Sequence, residues 1–189
     1  MVLMFFGMQT SLSMVYDREM GTMRLLMTAP FPRSLLLLFH LISTGLIGVL
    51  QVYAFLLIAR LMGIEFAPLN LLFVAPVLFL SALMFGALGF LLSLTIRQLE
   101  NFAGVMNFII FPSFFMSSAL YPLWRIRESS PLLADISFWN PFNHAVEAIR
   151  YQLYGEFNAQ SFAYLLAVTC ASLLSVMFSY TSHDVMKTH

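Results

Sequence analysis

The sequence predicts an all-α integral membrane protein, and three observations carry the prediction. Of 189 residues, 60% are hydrophobic and only 10% are charged, against roughly 25% charged residues in an ordinary soluble domain. Four runs, 34–62, 71–96, 102–120 and 161–180, stay apolar over lengths close to the roughly 20 residues that a helix needs to cross a hydrocarbon core. The breaks between them carry Gly, Pro, Asn or clustered charge, the punctuation of turns between antiparallel helices.

Taken in order, residues 1–16 are apolar but at about 1.5 Å per residue reach only about 24 Å. They read as the end of a span that begins upstream of Met1. The opening MVLMFFG lacks the basic n-region and small-residue cleavage site of a secretory signal, so it is expected to remain in the protein. Residues 17–33 follow with Asp17, Arg18, Glu19, Arg24 and Arg33 among them. Met20, Met23 and Met27 recur at i, i+3 and i+7, the stripe of an amphipathic helix, which Pro30 and Pro32 then end. The segment is read as a short helix lying on a membrane face and joined at both ends to spans.

The span 34–62 closes in the loop GIEFAPLN (63–70), and the span 71–96 closes in RQLEN (97–101) before the span 102–120. Within 71–96, Ala82, Gly86, Gly89 and Ser93 form one small-residue face that permits close backbone approach, either to a neighbour in the same chain or to a second copy. Residues 121–158 are too long for a hairpin loop and contain Trp124 and Trp139, residues that favour the membrane interface. Two short helices that dip into or lie on the membrane are predicted there, the second with Asn140 as N-cap and Pro141 at its first position. The last span is 161–180. With 17–33 on the cytoplasmic side, Arg18, Arg24, Arg33, Arg97 and Lys187 lie inside, against Arg60, Arg125, Arg127 and Arg150 outside. Five against four agrees with the positive-inside rule without deciding orientation.

Several function classes drop out. Nine Lys plus Arg balance nine Asp plus Glu, so the chain offers no net positive charge to a polyanion and nucleic acid is not an expected partner. Lys187 is the only lysine and Met186 precedes it, which rules out a phosphate-binding loop of the G-x-x-x-x-G-K-[ST] form. The G-x-G-x-x-G, H-E-x-x-H and G-x-S-x-G patterns are absent too. The lone Cys170 sits in an apolar run, where it serves as a small hydrophobe. His144 and Glu147 share a helix face but lack the third ligand a metal needs, and His40 and His183 belong to other segments.

Beyond physics, the order of residues carries a resemblance. Arg18-Glu19, Gly21-Thr22, Leu25-Leu26, Thr28 and Pro30 resemble the R-E-x-G-T-x-x-x-L-x-x-T-P connection of ABC-2 permeases, the membrane subunits of type-2 ABC exporters. Gly63 to Asn70 resembles their short external turn, Arg97 to Asn101 their second cytoplasmic loop, and Ser117-Ser118-Ala119-Leu120-Tyr121-Pro122 the S-G-x-x-[FY]-P that closes their fifth span. Asn140 to Arg150 resembles the N-P-x-x-x-x-x-E-x-x-R of their external re-entrant helices. Two departures stand out. Arg24 replaces an acidic or apolar residue, which bears on pairing with the ATPase, and Ser118 replaces a glycine.

The resemblance implies a six-span permease architecture, with the end of the second span through the sixth present here. It implies a cytoplasmic (inner) membrane, multi-pass location of bacterial type, a second permease copy as a homodimer, and a separate ABC ATPase subunit that binds the ATP and Mg. No cofactor is then expected in this chain, and membrane lipid is its surroundings. Asp17, Arg18, Glu19, Met20, Gly21, Thr22, Met23, Arg24, Leu25 and Pro30 would form a cytoplasmic coupling helix seated on the ATPase, with methionines as adaptable contacts. Asn140, Pro141, Glu147 and Arg150 would form an external gate, the last two being on physics alone an i,i+3 ion pair. Few ionisable groups lie in the spans, chiefly His40 and Arg60, which favours an apolar or amphipathic cargo. The competing readings are an intramembrane enzyme centred on His144 and Glu147, and a channel or scaffold without nucleotide dependence.

Overall fold

Apolar runs this long must satisfy their backbone groups internally once away from water, and the helix is the local solution. The computed structural model describes residues 1–20, 33–96, 98–121 and 123–185, and these are helical with short turns. In chain order the helices are α1 (Val2–Glu19), α2 (Arg33–Leu61), α3 (Pro68–Thr95), α4 (Leu99–Phe115), α5 (Leu123–Ser129), α6 (Pro131–Trp139), α7 (Pro141–Leu153) and α8 (Ala159–Val185). Three of them, α2, α3 and α8, are long and apolar enough to cross a membrane.

The most apolar helix, α3, is the centre of the bundle: half of its membrane-length window is buried, against 28% for α2 and α8. α1, α2, α7 and α8 all pack on it, and α4 packs on α1 and α7. The small-residue face explains part of this. A Cβ built on Gly89 would lie 2.2 Å from Ser11 Oγ, and one on Gly7 would lie 2.8 Å from Phe85 Cβ and 3.0 Å from Gly86 N. Gly86 itself faces Leu41 of α2. The face therefore serves packing within one chain, where α1 and α3 meet backbone to backbone.

Helix ends follow local chemistry. α2 and α7 both close on a glycine with positive φ, Gly63 at 94° and Gly155 at 84°. In each, the next N–H reaches five residues back, Ile64 to the Ala59 carbonyl and Glu156 to the Tyr151 carbonyl, the Schellman arrangement that satisfies last-turn carbonyls.

Three boundaries differ from expectation. α1 does not stop at residue 16 but carries Asp17, Arg18 and Glu19 in its last turn, while residues 21–32 of the 17–33 segment lie outside the described residues. The 102–120 run outlasts its helix, which ends at Phe115. Past that point, side chains compete for the backbone: Ser117 Oγ donates to the Phe114 carbonyl at 2.7 Å and Ser118 N–H donates to Asn143 Oδ1 at 2.9 Å. Finally, 121–158 holds three short helices rather than two, because Pro131 holds Ser130 in an extended conformation (φ −158°, ψ 111°) and starts a new helix.

Candidate functional site: a helix clamp above an apolar cleft

α7 is a 13-residue helix that runs alongside the central span. At its C-terminal end the Leu153 carbonyl accepts from Asn70 Nδ2 at 3.0 Å, close to the start of α3. At its N-terminal end the Phe142 ring lies 5.9 Å from the ring of Phe85, beyond the midpoint of α3. From Asn70 to Phe85 is about 22 Å of α3 at about 1.5 Å per residue. α7 is thus a re-entrant helix, not a cap lying across the bundle end.

The chain holds its deep end with one amide. Asn140 Oδ1 accepts from Phe142 N–H at 3.0 Å, capping α7 as expected. The Nδ2 of the same side chain donates to the Ser113 carbonyl at 2.7 Å and approaches the Met116 carbonyl at 3.4 Å. Those carbonyls belong to the last turn of α4, where helices leave acceptors unsatisfied. Asn140 therefore closes two helices at once. Pro141 occupies the first position of α7, where its missing N–H costs nothing.

One turn and about three turns further on, the same face of α7 grips the turn after α4. Asn143 Oδ1 accepts from Ser118 N–H, and Arg150 Nη2 donates to the Ser118 carbonyl at 2.7 Å. Arg150 Nη1 also meets Glu147 Oε1 at 3.5 Å, a long pair with the arginine side chain 40% exposed and the glutamate 12% exposed. Asn140, Asn143, Glu147 and Arg150 stand at i, i+3, i+7 and i+10, so the clamp is one stripe of α7. Asn143, 1% exposed, was not singled out from the sequence. Its signal was that spacing, a polar residue in register with the three already chosen.

Under the clamp lies a cleft of about 420 Å³, lined by Met4 of α1, Phe85, Leu88, Leu92 and Thr95 of α3, Ile109 and Ser113 of α4, and the α7 start at Asn140 to Phe142. Its walls are almost wholly apolar. Nothing in it resembles a nucleophile with a base, and the chemistry it supports is accommodation of hydrocarbon.

His144 is used internally. Its Nε2 lies 2.7 Å from the Phe138 carbonyl and its Nδ1 3.4 Å from Ser161 Oγ. The ring stacks on Tyr164 at 4.0 Å. The carbonyl requires an N–H at Nε2, leaving Nδ1 to accept from the serine. Burial pushes the imidazole below the ordinary histidine pKa, opposed by the Phe138 carbonyl and the Glu147 charge. Among the described residues no three His, Cys, Asp or Glu side chains gather as a metal site. His40 is on α2 beside Thr10 and Gly86. Met20 is exposed just after α1. Gly21, Thr22, Met23, Arg24, Leu25 and Pro30 lie outside the described residues.

A bundle of apolar helices built on a buried central span, with a re-entrant helix clamped beside it, defines a multi-pass α-helical membrane protein. Residues 1–154 match the family model for the ABC-2 type transporter, and the chain belongs to that family. It is 31% identical over 150 residues to a protein of Cyanophora paradoxa named "Putative transport permease ycf38", an alignment covering 77% of this chain and 50% of that protein. The chain thus spans about half the length of that relative. No solved structure matches it.

Proposed function

We propose that the chain is the membrane subunit of an ABC exporter that moves an apolar or amphipathic substrate across the cytoplasmic membrane, driven by ATP hydrolysis in a separate ATPase subunit. The match of residues 1–154 to the ABC-2 type transporter family carries this reading, and the name of the relative agrees with it.

The geometry supplies a route for coupling. α1 runs without a break into Asp17, Arg18 and Glu19, the start of the 17–33 connection that would seat on the ATPase with ATP and Mg. The same helix packs against α2, α3 and α4, with the Gly7 backbone and the Ser11 side chain set against Gly86 and Gly89 of α3. Closely packed interiors shift between discrete arrangements rather than deforming smoothly, so a push at Glu19 would reach α4 and the clamp as rigid-body motion. In this reading Asn140, Pro141, Glu147 and Arg150 gate the external end, and the apolar cleft accommodates hydrocarbon. A second copy would pair through the outer face of α4, where Gly104, Asn107, Phe108 and Phe111 are exposed.

The test is affinity purification of the complete chain from gently solubilised membranes, with mass spectrometry of the bound proteins and an ATPase assay. An ATP-hydrolysing partner, lost when Glu19→Lys and Arg24→Glu are combined, is the expected result. A folded chain that brings down no such partner, and whose transport ignores nucleotide, would overturn the reading in favour of a channel or scaffold.

A further inference from the structure

The cleft under the clamp has a length and a direction. Its α3 wall is Phe85, Leu88, Leu92 and Thr95, which stand at i, i+3, i+7 and i+10 on one helix face. Ten residues of helix cover about 15 Å, half of a hydrocarbon core of roughly 30 Å. Gly7 of α1 lies against Phe85 and Gly86, and Ser11 against Gly89, so α1 and α3 run the same way and Glu19 and Thr95 end on one side. The far end of the cleft is closed by Phe142, whose ring lies 5.9 Å from that of Phe85 and 6.1 Å from that of Phe114. α3 and α4 follow each other across residues 96–98, yet each packs on α1 and α7 rather than closely on the other. The space between them is a slot one leaflet deep.

The two ends differ in chemistry. At the deep end the Asn140 amide is fully engaged, its Oδ1 by Phe142 N–H and its Nδ2 by the Ser113 carbonyl, so nothing there is left over for a polar guest or for the two to four hydrogen bonds a water needs. At the other end Thr95, Gln98 and Asn101 are exposed. The walls between are Leu88, Leu91, Leu92 and Ile109. A volume of about 420 Å³ over about 15 Å gives a mean section of about 28 Å², the girth of one extended alkyl chain rather than of two chains or a fused-ring body.

We propose that the slot takes one straight acyl chain of a membrane lipid from the leaflet on the side of Glu19, methyl end against Phe85 and Phe142 and headgroup at the level of Thr95. Burial of the methylenes drives binding. The inference rests on the transport reading only in naming such an amphiphile as cargo; occupancy of the slot needs no ATPase.

The experiment places the full-length chain in phosphatidylcholine nanodiscs doped with a phosphatidylcholine that carries a photoactivatable diazirine either at the chain terminus or beside the ester, and maps the labelled residues by mass spectrometry. The terminal probe is expected to mark the buried Phe85 and Phe142, and the ester-proximal probe Leu92 and Thr95. Leu88→Trp blocks the slot halfway. Each buried methylene is worth about fourfold in binding, so a chain stopped several methylenes short should label Phe85 and Phe142 at least about tenfold less, with the lipid-facing Leu50 and Leu57 of α2 labelled as before. A second measurement needs no variant: in nanodiscs of branched diphytanoyl phosphatidylcholine, whose tails are too wide to compete, the straight-chain probe should label Phe85 and Phe142 more strongly. Both probes marking the same residues, or terminal labelling confined to outward faces of α2 and α8, overturns the proposal, as does labelling of Phe85 that ignores both Leu88→Trp and the branched host. Labelling as expected in a chain that brings down no ATPase would keep the lipid slot and remove the cargo reading, whereas an ATPase partner without such labelling would do the reverse.

Discussion

Arg150 reaches thirty-two positions back along the chain to donate a 2.7 Å hydrogen bond from Nη2 to the backbone carbonyl of Ser118. The two residues belong to stretches that the sequence marks separately, the turn closing α4 and the re-entrant helix, and this bond makes them one unit. Its donor is charged and its acceptor is a carbonyl beside a buried serine, so it outweighs the longer, partly exposed contact to Glu147.

That ranking gives the first prediction. Arg150→Gln should cost about 1–2 kcal/mol of stability, and Glu147→Gln no more than about 0.5 kcal/mol. Thermal unfolding of the purified protein in detergent measures both. Equal losses would mean that the ion pair, not the Ser118 carbonyl, anchors α7.

Asn140 offers a sharper cut, because its two amide atoms do different work. Asn140→Asp keeps the oxygen that caps α7 but removes the donor to Ser113 and Met116, and it brings a carboxylate to the C-terminal end of α4, where the helix dipole disfavours it. The aspartate variant should therefore lose about 2 kcal/mol or more despite being a good N-cap. A variant as stable as the wild type would show that capping of α7 alone matters.

The contact between α1 and α3 is tested by adding single methyl groups. Gly7→Ala places a Cβ against backbone atoms of Phe85 and Gly86, and should cost about 1–3 kcal/mol. Within its own chain Gly104→Ala meets nothing within 4 Å, so in the monomeric protein it should be neutral or stabilising by up to about 1 kcal/mol, since alanine is the better helix former. If both substitutions were equally tolerated in unfolding measurements, α1 would not be docked on α3 in the way described.

His144 predicts a pH dependence. Its folded-state pKa is lowered, mainly by burial, so as pH falls the unfolded chain takes up the proton first. The stability it contributes is complete above the unfolded value of about 6.5 and is lost as pH drops through that value toward the lower folded one. The melting temperature should fall as pH drops below about 6.5, and His144→Gln should flatten that part of the curve. An unchanged slope in the variant would assign the effect to another group.

Much of the fold is legible in the residues because hydropathy and helix punctuation act locally. The spans of α2, α3 and α8, the Asn140 cap with Pro141 behind it, and the glycine-bearing loop after α2 all follow from neighbours a few positions apart. The end of α4 at Phe115 did not follow, since hydropathy carries no record of the Asn143 side chain that takes the Ser118 N–H from twenty-five residues away. The small-residue face of α3 was equally ambiguous, because a stripe of Ala, Gly and Ser states that a backbone can approach but not which one.

By itself, then, the sequence determined an α-helical membrane protein with a charged connection after its first apolar segment and a polar stripe on a short helix before its last span. These are properties of composition and of periods of three to seven residues. Only the tertiary structure decided that α1 fills the glycine face of α3, that α7 descends beside the central span, and that Asn140, Asn143 and Arg150 close the end of α4. Each of these joins a donor to an acceptor, or a gap to a side chain, across dozens of residues. Such pairings are selected by the three-dimensional accounting of buried volume and unsatisfied backbone groups, to which a local pattern has no access.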